Sequence, residues 1–188
     1  MISKSSARNY KQILAMVFIL TSGCTAQYAT GEVPFVPTPM DVVDRMLEMA
    51  EVTQKDVVYD LGSGDGRILI RAAKKYGARG VGIEIDPDLV ELSQRNARRE
   101  GVEHLVEFRE QDVFKVDVSP ATVVTLYLLP HFNTRLRPIL KNQLRAGARV
   151  VSHDFNVEGW TPVKIAKMKG DFIHDHTIYL FRIEDQPK

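Results

Sequence analysis

Apolar positions along this chain change period repeatedly. Short runs rich in Val, Ile, Leu and Phe occur at 57–60, 81–85, 106–110, 122–129, 149–155, 163–168 and 177–183. Each has strand length, and most are flanked on at least one side by Gly, Pro, Asp or Asn. Helix-period stripes lie in three of the four gaps between the first five. Residues 67–76 form one, closed by Gly77, and Asp86-Pro87 opens a second that runs to Arg99 with Gly101 as its stop. Residues 131–144 form a third, which Pro138 should kink or split. Before the first strand, Val43, Met46, Leu47 and Ala50 make a fourth stripe, with Thr38 expected as N-cap, Pro39 at the first helical position and Asp41 at the third. Strands alternating with helices, then two strands joined by a loop, predict an α/β fold. It is a doubly wound, Rossmann-like, seven-stranded sheet, mostly parallel with a C-terminal antiparallel hairpin.

The first strand ends at Asp60. A glycine turn follows it, Gly62-Ser63-Gly64-Asp65-Gly66, and a helix pattern opens at Arg67. Strand, glycine turn and helix are the parts of a nucleotide-binding βα unit. Arg67 stands where the dinucleotide fingerprint needs its third glycine. Asp60 and Asp65 would repel a pyrophosphate placed there. S-adenosylmethionine carries a sulfonium and an ammonium and no phosphate, so an acidic glycine loop suits it. Glu84 near the end of the second strand lies 24 positions beyond Asp60, close to the roughly 20 expected for a ribose-binding carboxylate. Asp112, after the third strand and next to Val113, can accept from an adenine amino group. Each carboxylate alone reads more readily as a helix cap or a solvated loop residue. Three of them, each after a separate strand, converge at the carboxyl ends of the sheet.

Composition narrows the class. With 188 residues, 44% of them hydrophobic, and a formal net charge of +1, the chain has one domain's worth of core and no bulk field that would draw nucleic acid or anionic membrane. The first residues differ from the rest. Lys4, Arg8 and Lys11 precede the apolar run 13–20, too short for the roughly 18 residues a span requires. Residues 1–24 read as a signal peptide, and Leu20-Thr21-Ser22-Gly23-Cys24 is similar to a lipobox with Cys24 as a lipid anchor. This implies an exported or membrane-anchored protein. A retained signal anchor, or a start assigned too early in a cytoplasmic chain, is the alternative. Residues 25–37 form a linker and extended segment, held out of helix by Pro34, Pro37 and Pro39. Cys24 is the only cysteine, so residues 38–188 contain no disulfide. No His/Cys cluster has metal-site spacing, and His131, His174 and His176 read as surface or loop histidines.

The chain resembles class I, seven-stranded S-adenosylmethionine-dependent methyltransferases. More narrowly it is similar to archaeal broad-specificity protein lysine methyltransferases and their mitochondrial relatives. The resemblance rests on Val33-Pro34-Phe35-Val36-Pro37-Thr38-Pro39, on residues 59–68, on Val81-Gly82-Ile83-Glu84-Ile85, on 121–130, and on 147–155 with Ser152-His153-Asp154-Phe155. The archaeal pattern usually has Glu where Asp154 stands, and those enzymes carry no export signal. The resemblance implies S-adenosyl-L-methionine as cofactor, held by Thr38, Asp60, Gly62, Ser63, Gly64, Glu84, Ile85, Asp112 and Val113. It implies Tyr127, His153 and Asp154 as candidate catalytic residues that orient or deprotonate an amine, with Phe35 in a wall beside the cofactor. The implied partners are protein substrates presenting lysine. Nucleic acid is not expected, because strand four ends Leu126-Tyr127-Leu128-Leu129-Pro130 without an Asp/Asn-Pro-Pro-aromatic motif and no basic stripe is interleaved with aromatics. A small-molecule methyltransferase and a non-catalytic cofactor-binding protein are the rival readings.

Overall fold

A computed structural model describes residues 35–170 and 175–187. The signal-like segment, the lipobox-like Cys24, most of the linker, and His174 lie outside the described residues. A compact unit runs from Pro37–Lys188. Among the described residues no helix is long and apolar enough to cross a membrane.

The elements follow in chain order as α1 (Met40–Met49), β1 (Val57–Leu61), α2 (Arg67–Tyr76), β2 (Arg79–Glu84), α3 (Pro87–Arg99), β3 (Val106–Glu110), β4 (Val123–Leu126), α4 (Pro130–Gln143), β5 (Arg149–His153), β6 (Lys164–Met168) and β7 (His176–Arg182). The seven strands form one sheet in the order β3-β2-β1-β4-β5-β7-β6. The first five strands pair in parallel, and β7 runs antiparallel to both β5 and β6. The chain winds outward through β2 and β3, then returns past β1 to β4. The order therefore reverses between β1 and β4, and loops at the carboxyl ends there can splay apart to admit a ligand.

Strand side chains alternate between two cores. Val58, Val123 and Val151 face one side with Val42, Met46, Leu47 of α1, Leu69 of α2 and Ala97 of α3. Tyr59, Leu61, Val124 and Val150 face the other, with Leu136 and Leu140 of α4 and with Trp160 and Phe181. Burying side chains of this size contributes about 1.5–3 kcal/mol each. These layers hold the strand ends, and hence the site, in register.

Three expectations change at the boundaries. Thr38 does not cap α1: Pro39 is the N-cap, without a side-chain cap bond, and its carbonyl accepts from the Val43 amide at 2.9 Å. The Thr38 hydroxyl is turned inward instead. The strand 122–129 is shorter than its apolar run, because Leu129 and Pro130 begin α4. Pro138 does not split α4, which continues as one helix of 14 residues. The carbonyl that loses a donor to proline lies one turn upstream, while Leu136 and Leu140 on either side are fully buried and keep the helix seated. Asp86 caps α3 as expected, accepting from the Asp88 amide at 2.9 Å, with Pro87 in the first turn.

Candidate functional site

The turn after β1 is shaped by glycine. Gly62, Gly64 and Gly66 take φ of 82°, 52° and 80°, a region costly for side chains with a Cβ. The amides of Gly62 and Ser63 both donate to the Ile83 carbonyl at 2.8 and 3.0 Å, fastening the turn across to β2. Gly66 also serves close packing: a Cβ there would meet the Phe108 ring at 2.6 Å. Ser63 is buried and its Oγ has no hydrogen-bond partner among the described residues. A Cβ on Gly82 would come 2.7 Å from that Oγ. Ser63 is thus part of the turn's underside, and any ligand contact at this position falls to its backbone.

Glu84, at the end of β2, organises the loop from beneath. Its Oε2 accepts from the Gly64 amide at 2.9 Å, and its Oε1 accepts from the amides of Ile85 and Asp86 at 2.8 and 3.1 Å. A carboxylate has about four acceptor positions, so three are spent on backbone and about one is left for a ligand hydroxyl. Ile85 follows with 64% of its surface exposed, an apolar ledge at the strand end. Gln111, after β3, donates its amide to the Glu84 carbonyl at 2.8 Å, which brings Asp112 and Val113 alongside. Asp112 is held by its own turn, Oδ1 accepting from the Phe114 amide at 2.9 Å.

The acidity of the loop is distributed differently from the sequence-based expectation. Asp65 is not a bare charge: Arg67 binds it through Nε and Nη2 at 2.9 and 2.7 Å, and through Nη1 reaches the Thr38 carbonyl at 3.0 Å. Asp60 is only 3% exposed. Burial, then the charges of Glu84 and Asp65, push its carboxyl up to about 7, against the lowering effect of the Thr125 hydroxyl. The loop is therefore acceptor-rich, with Asp65 paired to Arg67 and the buried Asp60 carboxylate penalised until a cation arrives. That fits a ligand with a sulfonium, an ammonium and ribose hydroxyls, and it disfavours a pyrophosphate.

A second group lies at the ends of β4 and β5. The Tyr127 ring lies 4.0 Å from the His153 ring, centroid to centroid, and 6.2 Å from that of Phe155. Burial, then the neighbouring Asp154 carboxylate, raises the Tyr127 hydroxyl above the usual phenol range. His153 is fully buried. Its Nδ1 lies 3.3 Å from Thr38 Oγ1, which explains why Thr38 does not cap α1. Its Nε2 lies 3.0 Å from His176 Nδ1 and 3.3 Å from Asp154 Oδ2. Asp154 adopts φ of 58° and is clamped to β7: its amide donates to the Thr177 carbonyl at 2.6 Å and its Oδ1 accepts from the Thr177 amide at 2.8 Å.

His176 is the residue that sequence reasoning missed. It was expected at the surface; it is 7% exposed and pairs with His153. His153 pairs with Ile178 across the β5–β7 ladder. His176, two residues before Ile178, is then a diagonal neighbour on the same face. The signal was the terminal position of both histidines on antiparallel strands, which register alone converts into contact. His131 is exposed, as expected. Phe35 is 45% exposed and Val36 53%.

A cleft of about 820 Å³ opens at the opposite edge, beside Val57, Arg79 and Val106, the first residues of β1, β2 and β3. It contains none of the candidate residues. Ligands of doubly wound sheets bind at the carboxyl ends of the strands, which makes the loop cluster, rather than this cleft, the candidate site.

Comparisons with known proteins identify the family. The family described as "ANTKMT methyltransferase domain" matches residues 60–164. A protein from Saccharolobus islandicus named protein-lysine N-methyltransferase is 46% identical over 152 residues, spanning 80% of this chain and 94% of that one. The adenine nucleotide translocase lysine N-methyltransferase of Mus musculus is 36% identical over 135 residues, covering 71% of this chain and 58% of the relative. Among solved structures, an RNA methyltransferase from Salinibacter ruber in complex with S-adenosyl-L-homocysteine superposes with a TM-score of 0.77 at 58% identity, covering 81% of this chain and 97% of that one.

Proposed function

The chain belongs to the ANTKMT methyltransferase domain family, and we propose that it transfers methyl groups from S-adenosylmethionine to lysine amines of proteins. The observation that carries the acceptor is the 46% identity to an archaeal protein-lysine N-methyltransferase over nearly that protein's whole length.

When bound, the cofactor supplies an electrophilic methyl on a sulfonium, which is already a good leaving group. The protein's part is then placement and electrostatics. Gly62 and Gly64 keep the loop free of side chains where the ligand approaches. Asp60 offers its carboxylate to the positive end, Glu84 accepts from ribose, and Ile85 and Val113 flank the base, with Asp112 accepting from its amino group. Tyr127 and Asp154 flank the acceptor side, and the fully buried His153 positions them from beneath. An ammonium near pKa 10.4 in water must lose its proton before attack, and the apolar surface of Tyr127, Phe155 and Leu129 favours the neutral form by excluding water.

The Salinibacter ruber protein is described as an RNA methyltransferase, which favours a second reading in which the acceptor is RNA. The net charge of +1 and the end of β4 at Leu126, followed by Tyr127-Leu128-Leu129-Pro130, weigh against it. Radiolabelled S-adenosylmethionine offered to the full chain with mixed proteins and with RNA separates the two. Label on lysine that vanishes with Asp60→Ala supports the proposal. Label confined to RNA, or to small molecules, overturns it.

The lipobox-like run ending at Cys24 supports a further part of this reading, export and lipidation at that residue. Cys24→Ser should move the protein out of the membrane fraction; unchanged fractionation would reject the anchor.

A further inference from the structure

The geometry points to a divalent transition-metal site of the zinc class formed by His153, Asp154 and His176. Three potential ligand atoms converge there. His153 Nε2 and His176 Nδ1 are 3.0 Å apart, and Asp154 Oδ2 lies 3.3 Å from the first and 3.5 Å from the second. A triangle with those sides has a point about 1.9 Å from all three corners, and a small step out of its plane gives about 2.1 Å, the length of zinc–nitrogen and zinc–oxygen bonds.

Hydrogen bonds among these three atoms satisfy the arrangement poorly. Each ring nitrogen carries at most one proton and an ionised carboxylate carries none. At most two of the three short contacts can be hydrogen bonds, and the remaining edge sets lone pair against lone pair. Protonating both nitrogens instead sets two protons against each other across 3.0 Å. A cation at the centre satisfies all three edges at once.

The surroundings match what ligands of a metal require. A ligating histidine normally hydrogen-bonds through its other ring nitrogen, which fixes tautomer and orientation. His153 Nδ1 has Thr38 Oγ1 at 3.3 Å for that purpose. The second oxygen of Asp154 is held by the Thr177 amide at 2.8 Å. The ladder between β5 and β7 sets the two histidines on one face. Two nitrogens and one oxygen on one side leave the remaining coordination positions for water or another ligand, as in zinc sites with two histidines and a carboxylate. The absence of a local ligand motif is no obstacle, since His153 and His176 are 23 residues apart and meet only through strand pairing. The proposal does not depend on whether the methyl acceptor is protein or RNA.

The test is metal stoichiometry on the full chain carrying Cys24→Ser, which removes the thiol as a competing ligand. After metal stripping, loading with Zn²⁺ and desalting, elemental analysis should find about one equivalent per chain. Loading with Co²⁺ should give visible absorption without thiolate charge transfer. His176→Ala and Asp154→Asn should each weaken Zn²⁺ affinity at least ~10-fold, and Thr38→Ala by ~10- to 100-fold through His153. Zn²⁺ should raise the melting temperature of the Cys24→Ser chain and not that of its His176→Ala derivative, with circular dichroism confirming that the variants fold. Retention of less than ~0.1 equivalent with no Co²⁺ spectrum would overturn the proposal. So would retention that His176→Ala and Asp154→Asn leave unchanged, because the metal would then sit elsewhere.

Discussion

Asp60 and Thr125 are direct partners across the parallel β1–β4 ladder, and the Thr125 hydroxyl donates to Asp60 Oδ1 at 2.7 Å within the buried end of the sheet. One hydroxyl does not offset the burial of a charge, so the carboxyl is pushed up to about 7. The group's contribution to stability is full below its unfolded value near 3.8 and is lost as pH rises through about 7. Asp60→Asn keeps an acceptor for Thr125 and has no charge to bury. Without cofactor it should be more stable than wild type at pH 8 and indistinguishable at pH 4. Three units at about 1.4 kcal/mol each cap the gain at about 4 kcal/mol. Urea midpoints at the two pH values check it, and a gain of equal size at both would contradict the assigned cause.

The same carboxylate should make cofactor binding pH-dependent. A cation draws Asp60 into its charged form, so the affinity for S-adenosylmethionine should rise as pH approaches about 7 and level off above that, with proton release on binding. Calorimetry in buffers of different ionisation enthalpy reads the released proton. Asp60→Asn should flatten the profile as well as weaken binding.

Glu84 holds the glycine loop by three backbone amides. Glu84→Ala leaves those amides without their acceptor and removes the group proposed to accept from ribose. Affinity for S-adenosylhomocysteine should fall by roughly 1–3 kcal/mol, the scale of a lost charged hydrogen bond. Because the loop itself loosens, amide exchange at Gly64 and Ile85 should quicken even without ligand, and unchanged protection at those amides would count against the structural role.

Gly82 has an ordinary strand conformation, yet a Cβ there would sit 2.5 Å from the Phe108 ring and 2.7 Å from Ser63 Oγ. Gly82→Ala should destabilise the protein by about 1–3 kcal/mol through overpacking. Phe108→Leu, made in the same chain, should recover part of the loss. A double variant no more stable than the sum of the two single losses would show that the ring is not the obstacle.

Tyr127→Phe removes the hydroxyl and keeps the ring against His153 and Phe155. If the hydroxyl orients the amine, kcat should fall on the order of 10²-fold, the effect of small misplacement, while cofactor affinity holds. Single-turnover rates with saturating cofactor make the measurement. An unchanged rate would reduce Tyr127 to a packing residue.

Much of this molecule was legible in its sequence. Strand β3 runs over the predicted residues, as does the helix closed by Gly77, and Asp86-Pro87 opens α3 where expected. Asp60 and Glu84 fall at strand ends, as the spacing required. Helix and strand each impress a local period on burial, and glycine and proline restrict the backbone at their own positions, so these features need no knowledge of distant residues. Pro138 differs for the complementary reason: local propensity favours a break, and the buried Leu136 and Leu140 keep the helix whole.

What the tertiary structure alone decided concerns pairs far apart in the chain. Sheet register brings His176 to His153 and sets Thr125 beside Asp60, and packing turns Thr38 away from its helix toward that same histidine ring. Arg67 neutralises Asp65, which sequence alone would count as a free charge. A residue's type states what it can donate, accept or carry. Whether it is charged, paired or buried depends on neighbours that arrive through strand order and on the water they exclude, and neither quantity is local in sequence.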